Sequence, residues 1–430
     1  MPSRVPSSVR RPWTGVLVRG WRLEIGLSLG TLVVLMFSLS LGAVGPFLVG
    51  AAVLALSRLR PKVGQKLTRA ARRNREARRL DFAFWHCAIV GRTGDIPRVE
   101  RVAALPVGLR YLVRMPVGLH FEAVRARKDE VAAALGAREV RVTPVAESAR
   151  YVEVAVIWGN AFPRALPSPL LDCAVVSLWE PLAFGVGQEG REVSLRLPEH
   201  NLLIGGEPGS GKSVALSTIV AAAALDPSVE LTLLDGKDVE LVAWSEVADR
   251  FVGADQGAAV EVLEEVSTLM DERYRALLAT RRRKLAPGEH EGLHVVVIDE
   301  VAFYLRGGEK AVRERFAELL RDLVSRGRAA GIIVVAATQK PSHEVVPTWI
   351  RDLFAYRLAL RCTSPDASDT ILGQGWAHQG FSAATIDPST RGVGYLLAEG
   401  GVPVLLMTPY LSDEDIDELA SRALALRGLS

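Results

Sequence analysis

Asn201–Ile204, NLLI, runs through Gly205 into Gly206-Glu207-Pro208-Gly209-Ser210-Gly211-Lys212-Ser213, GEPGSGKS, and on into VALSTIVAAAAL at 214–225. Three apolar residues behind Asn201, closed by a turn, read as a short buried strand, and the Ala-rich run that follows reads as a helix. The octet between them is G-x-x-x-x-G-K-S, so strand, glycine loop and helix start come in the order that phosphate binding requires. Glycines at these positions let backbone N–H groups curl around a β-phosphate, and the helix N-terminus adds its partial positive charge. Lys212 would reach the β- and γ-phosphates, and the Ser213 hydroxyl would ligate Mg²⁺. The ligands expected from this stretch are therefore ATP and Mg²⁺.

Three further apolar stretches end in polar residues. Leu293–Ile298 (LHVVVI) ends in Asp299-Glu300, Gly331–Ala337 (GIIVVAA) in Thr338-Gln339, and Leu231–Leu234 in Asp235-Gly236-Lys237. A carboxylate at a strand tip suits the Mg²⁺ shell, which points to Asp299; its neighbour Glu300 can polarise an attacking water. Thr338-Gln339 can sense the γ-phosphate and report its loss. Apolar strands alternating with longer helices from about residue 175 predict a parallel sheet covered on both faces.

The chain has 430 residues, 49% hydrophobic and 23% charged, and a mean hydropathy of +0.19. This is enough for two or three domains, and it excludes a disordered chain, a collagen-like repeat and a disulfide scaffold. Cys87, Cys173 and Cys362 form no CxxC pair and read as reduced thiols. The net charge of +3 is unevenly placed. Residues 1–22 carry five arginines and no acid, and residues 58–80 carry ten basic side chains against Glu76 alone. With Glu24 counted, residues 81–430 are left at −10, which argues against a globally basic nucleic-acid surface.

Residues 25–57 hold no charged side chain. One straight helix of that length would measure about 50 Å against a hydrocarbon core of about 30 Å. The break at Gly42-Ala43-Val44-Gly45-Pro46 permits two short spans, and basic flanks on both sides favour a hairpin with both ends in the cytoplasm. One long tilted span and a non-inserting apolar segment stay open. The basic run Arg58–Arg79 reads as a helix against anionic headgroups, with a DNA-guiding stalk as the alternative. The expected localisation is the cell membrane, multi-pass, with the body of the chain cytoplasmic.

The expected organisation has six parts: a cytosolic basic N-terminus (1–24), the membrane hairpin (25–57), a basic juxtamembrane linker (58–97), a small α/β domain (98–165), the motor (170–412) and a C-terminal helix (413–430). Within the small domain, Leu109–Met115, Val140–Val145 and Val152–Trp158 read as strands and Lys128–Leu135 as a helix.

Together, GGEPGSGKSVAL, LLDGKDVEL, VVVIDEVAFYL and SRGRAAGIIVVAATQKPS resemble the FtsK/SpoIIIE family of DNA-pumping ATPases. The last stretch is the most specific, because a generic phosphate-loop protein has no reason to carry it. The resemblance implies an α/β, RecA-like P-loop motor assembling as a homohexameric ring around double-stranded DNA. It is nearest the membrane-tethered transfer proteins of actinobacterial plasmids and integrative elements. It also implies that Arg328, in SRGRAAG, is an arginine finger acting on the neighbouring subunit; the plainer role is neutralising a helix C-terminus, and Arg326 is the second candidate. The stretch after Tyr410 reads as one helix, with no winged-helix module expected. A protein-secretion ATPase and a regulatory ATP-binding membrane protein are the competing readings. Lys237, Arg281–Lys284 and Arg361 are candidate DNA contacts.

The hairpin is testable by cysteine labelling of residues 1–20 from each side of the membrane. Labelling from the cytoplasmic side alone is expected; labelling from outside would eliminate the hairpin in favour of one long span.

Overall fold

The computed structural model describes residues 61–288, 292–339, 341–342 and 347–429. The expected N-terminus (1–24) and apolar hairpin (25–57) lie outside the described residues, and among those described no helix is long and apolar enough to cross a membrane. The chain divides into two compact units at Asn160/Ala161.

In the first unit, helix α1 (Pro61–His86) precedes strands β1 (Arg98–Leu105) and β2 (Gly108–Arg114), helices α2 (Phe121–Arg125) and α3 (Lys128–Leu135), and strands β3 (Glu139–Pro144) and β4 (Tyr151–Ile157). The sheet is antiparallel in the order β1-β2-β4-β3. Alternate residues of a strand share a face, and Val152, Val154 and Val156 of β4 join Tyr111 and Val113 of β2 in a core closed by Val124, Val131 and Leu135. The three strands and one helix expected here are present, each bounded within a residue of the expectation. Strand β1 was not expected. Its RVERVAAL sequence leaves only Leu105 buried, so it lacks the apolar alternation that marks a strand. Within the stretch expected to be a linker (58–97), Pro61–His86 is helical and inserts Leu80, Ala83 and Phe84 into the same core.

Among its described residues the second unit is built on one ten-stranded sheet. Its strands are β5 (Leu182–Gly187), β6 (Glu192–Leu195), β7 (Leu202–Gly205), β8 (Glu230–Asp235), β9 (Arg250–Val252), β10 (His294–Asp299), β11 (Ile332–Thr338), β12 (Tyr356–Leu360), β13 (Val393–Leu397) and β14 (Val404–Met407). Their order is β6-β5-β14-β13-β12-β7-β11-β10-β8-β9. From β12 to β9 all neighbours are parallel, but β13, β14, β5 and β6 pair antiparallel. The sheet is therefore mixed, which corrects the expectation of a parallel one. Short connections through Gly400-Gly401 and Gln188–Arg191 turn the chain straight back, and an antiparallel pair needs no crossover helix.

The helices are α4 (Lys212–Ala224), α5 (Gln256–Ala279), α6 (Val301–Arg306), α7 (Lys310–Arg326), α8 (Thr348–Arg351), α9 (Pro365–Leu372) and α10 (Asp413–Arg427). Every residue of β7, β10 and β11 is buried. Alternation sends Leu202, Val295, Val297, Ile333 and Val335 toward α4 and α10, and Leu203, Val296, Ile298, Val334 and Ala336 toward α5 and α7. Helix α4 is buried over nearly its whole circumference, hence its Ala-rich sequence. Arg427 of α10 clasps its C-terminal end, donating to the carbonyls of Ala223, Ala224, Asp226 and Val229 at 2.9–3.1 Å. The expected C-terminal helix thus exists as α10, capped by the reciprocal Ser412–Asp415 box, and packs as part of this unit through Leu419, Ala420 and Ala423.

Burial pushes the Asp81 carboxyl of α1 up to about 7, with the charge of Arg98 opposing, and Asp81 Oδ1 has no hydrogen-bond partner among the described residues. In the unfolded chain this group ionises at its ordinary value near 3.8. Its contribution to stability is therefore complete below pH 4 and is lost as the pH rises through 7. Urea unfolding of the full chain should show Asp81→Asn gaining on the wild type between pH 4 and 7 and holding that gain above; a pH-independent difference would contradict the burial account.

Candidate active site

The carboxyl ends of the parallel strands form one edge, where ligands of open α/β sheets gather. Register aligns them: Gly205 of β7 pairs with Thr338 of β11, and Asp299 of β10 with Asp235 of β8. The four polar strand ends identified from the sequence are therefore neighbours.

The loop between β7 and α4 has the backbone the motif demands. Gly209 and Gly211 have φ of +76° and +102°, a region glycine enters without strain. The loop is tied from three sides. Gly206 N–H donates to the Thr338 carbonyl (3.3 Å), Glu207 N–H to that of Arg361 (3.0 Å), and Gly392 N–H to that of Ser210 (2.9 Å). Arg361, a candidate DNA contact, also forms an ion pair with the Glu207 carboxylate and so braces the phosphate loop. Against Gly211 the Gly392 backbone comes so near that a Cβ on Gly211 would stand 2.6 Å from its nitrogen. Nothing local in the sequence announces Gly392; only tertiary folding brings it here.

Lys212 and Asp299 are buried at 3% and 0% exposure and form an ion pair through Nζ and Oδ1. Burial pushes the Asp299 carboxyl above its ordinary range, and the Lys212 ammonium opposes the shift. Asp299 Oδ2 and Ser210 Oγ have no hydrogen-bond partner among the described residues. A buried carboxylate oxygen without a partner, beside a cation at the foot of the glycine loop, is what a magnesium-bound triphosphate would complete. The residues present fit both groups, with Gly206–Ser213 around the phosphates and Ser213 and Asp299 toward the metal.

Glu300 caps α6 from the left-handed region, φ +53°, which a non-glycine residue adopts only when its surroundings hold it there. Oε1 accepts from the Thr338 hydroxyl (2.9 Å), both oxygens accept from Gln339 N–H (3.2 and 3.4 Å), and Oε2 is paired with Lys237 Nζ (3.1 Å). The structure thus brings Glu300, Thr338 and Gln339 together. It also adds Lys237, which the sequence analysis placed on this edge but assigned to DNA.

Arg328 is elsewhere. It precedes β11, whose seven residues rise about 20 Å to Thr338. There it is half exposed and pairs with Glu399 (3.5 Å) and Glu199 (3.8 Å). It cannot serve the phosphate loop of its own chain. Arg326 is bound to Asp271 and Asp322 at 2.7 and 2.8 Å, and Lys284 to Glu199.

Residues 178–378 match the FtsK/SpoIIIE family. The DNA translocase FtsK of Streptococcus pneumoniae is 26% identical over 361 residues, covering 75% of this chain and 44% of that protein. The DNA translocase FtsK of Lactococcus lactis subsp. cremoris is 26% identical over 365 residues, with the same coverage. The chain spans less than half the length of either. Among solved structures, the pCW3 conjugation coupling protein TcpA, in its monomer form with ATPγS, superposes with a TM-score of 0.56 at 19% identity, over 82% of this chain and 99% of that one. ATPases 2 and 3 of EssC from Geobacillus thermodenitrificans give 0.51 at 14% identity, over 62% and 52%. At these identities the structural likeness concerns the fold.

Gly211→Ala is expected to open the loop: the new Cβ meets backbone and the φ is strained for alanine, together about 1–3 kcal/mol. A lowered melting temperature with weakened binding of a non-hydrolysable ATP analogue is the expected result; unchanged values of both would refute the close packing on Gly392.

Proposed function

We propose, from the match of residues 178–378 to the FtsK/SpoIIIE family, that the chain is a membrane-anchored, ATP-driven translocase of double-stranded DNA, acting in conjugative transfer or DNA segregation. The observation that carries the reading is the meeting of Lys212, Asp299, Glu300 and Thr338-Gln339 at one edge of the sheet inside that domain.

The phosphates of ATP lie in the Gly206–Ser213 loop, and Lys212 transfers its charge from Asp299 to the β- and γ-phosphates. Magnesium, when bound, neutralises charge developing on the transferring phosphoryl; Ser213 and the free oxygen of Asp299 are the residues to hold it. Glu300 accepts a proton from the attacking water, and Gln339 registers the γ-phosphate. Arg328 acts in trans on a neighbouring subunit of a hexameric ring, where its guanidinium stabilises the transferring group. The apolar segment 25–57 and the basic run that follows it tether the motor to the cell membrane, with the motor in the cytoplasm.

Because residues 81–430 carry −10, a single subunit grips DNA weakly. A ring pools one or two phosphate contacts from each subunit, and six contacts already give a salt dependence of about 0.9 log unit per contact per decade. ATP hydrolysis by the full chain should therefore rise cooperatively with protein concentration when linear duplex DNA is added, fall steeply with salt, and vary little with DNA sequence. A rate that ignores DNA, salt and concentration would refute the translocase and favour a secretion or regulatory ATPase. Lys212→Ala should lose nucleotide binding and turnover together, while Glu300→Gln should bind ATP without hydrolysing it; normal turnover by either variant would refute the role given to that residue.

A further inference from the structure

The turn after β8 is constructed to hold a cation on the Glu300 carboxylate. Asp235, fully buried, accepts from the Lys237 N–H through Oδ1 (3.1 Å) and from the Leu241 N–H through Oδ2 (2.8 Å), so one side chain secures both ends of the loop. Gly236 lies directly on the Asp299–Glu300 turn. Its N–H donates to the Asp299 carbonyl at 3.3 Å, and a Cβ there would sit 3.2 Å from that oxygen and 3.1 Å from Phe303 Cβ. Asp238, at φ +57°, accepts from Ala254 N–H at 2.8 Å. All these bonds anchor loop backbone. The Lys237 ammonium, with a third of its side chain exposed, is left facing Glu300 Oε2 at 3.1 Å.

Glu300 in turn has protein donors on both oxygens: Thr338 and Gln339 on Oε1, Gln339 and Lys237 on Oε2. A carboxylate engaged in this way cannot also align and deprotonate a water unless one donor leaves. Thr338 and the Gln339 N–H belong to the end of a fully buried strand and cannot move without disturbing the sheet. Lys237 reaches Glu300 on a flexible four-carbon stem and can leave alone.

We propose that Lys237 is a positioning residue that restrains Glu300, and that transfer of its ammonium from the carboxylate to a phosphate oxygen releases the base for hydrolysis. The inference rests on the reading of Glu300 as the base. The phosphate belongs either to bound nucleotide or to the DNA backbone, and the two sources give different rates.

The test is steady-state ATP hydrolysis by the full chain as wild type, Lys237→Met and Lys237→Arg, each with and without linear duplex DNA. Methionine keeps the packing of the stem and removes the charge. If the phosphate is that of DNA, methionine should raise kcat without DNA about three- to tenfold with KM for ATP unchanged, and arginine should restore the restrained rate. If DNA supplies the phosphate, Lys237→Met already turns over at the DNA-stimulated rate of the wild type and gains nothing from DNA. If the nucleotide supplies it, saturating ATP already draws the ammonium away, so methionine raises KM for ATP several-fold at an unchanged kcat, arginine lowers it again, and DNA stimulates both proteins by the same factor. A fall in kcat for Lys237→Met, or an arginine variant indistinguishable from methionine, overturns the proposal. A wild type that hydrolyses no ATP overturns the ATPase reading beneath it.

Discussion

A buried lysine and a buried aspartate must find each other across the sheet, and most of the second unit is arranged around that requirement. Lys212 begins α4, at the end of β7, whereas Asp299 ends β10; β11 lies between the two strands. Neighbouring strands are about 4.8 Å apart, so the lysine must stretch over one strand to reach the carboxylate. Removing either charge would strand the other in the interior, a loss of about 3–5 kcal/mol. The pair is weakly stabilising in itself, since burial disfavours both ions. Its chemical value, on the proposed reading, is that each ion already sits where a magnesium-bound phosphate would need it.

Neighbouring features follow from this constraint. Thr338, at the tip of the intervening strand, bonds both the phosphate loop and Glu300. The fully buried, mostly apolar β7, β10 and β11 and the Ala-rich α4 supply the dry surroundings in which a charge pair is strong. Arg427 and the Gly392 backbone hold α4 and its loop from opposite ends. Another buried polar residue of the region, Asn201, works in the same way: its amide donates to the Val324 carbonyl (2.8 Å) and accepts from Val334 N–H (2.7 Å), joining α7 to β11.

The sequence makes the parallel half of the sheet legible because buried parallel strands must be continuously apolar and must end in polar loops, as LHVVVIDE and GIIVVAATQ do. It conceals the antiparallel half, since β13 and β14 are equally apolar and differ only in the direction of their connections. Strand β1 escapes notice because its charged residues, including the Glu100 that pairs with Arg114, face solvent and blur the period of two. Within the candidate site, Gly206–Ser213, Asp299, Glu300 and Gln339 could be singled out because each proposed role demands a residue type at a strand end, and the register sets those strand ends side by side. Arg361 and Lys237 could not be placed by that logic. A basic side chain after a strand is compatible with solvent, DNA or a nearby carboxylate, and only the fold puts Glu207 and Glu300 within reach.

The central claim is that the Lys212–Asp299 pair is the resting form of a magnesium–phosphate site. Binding of a non-hydrolysable ATP analogue, measured by calorimetry with and without Mg²⁺ for wild type and Asp299→Asn, tests it directly. The account predicts that Mg²⁺ tightens binding at least tenfold in the wild type and hardly at all in the variant, and that the variant binds the magnesium-free analogue no more weakly than the wild type because Lys212 has lost its competing partner. A variant that keeps the full magnesium effect would contradict it.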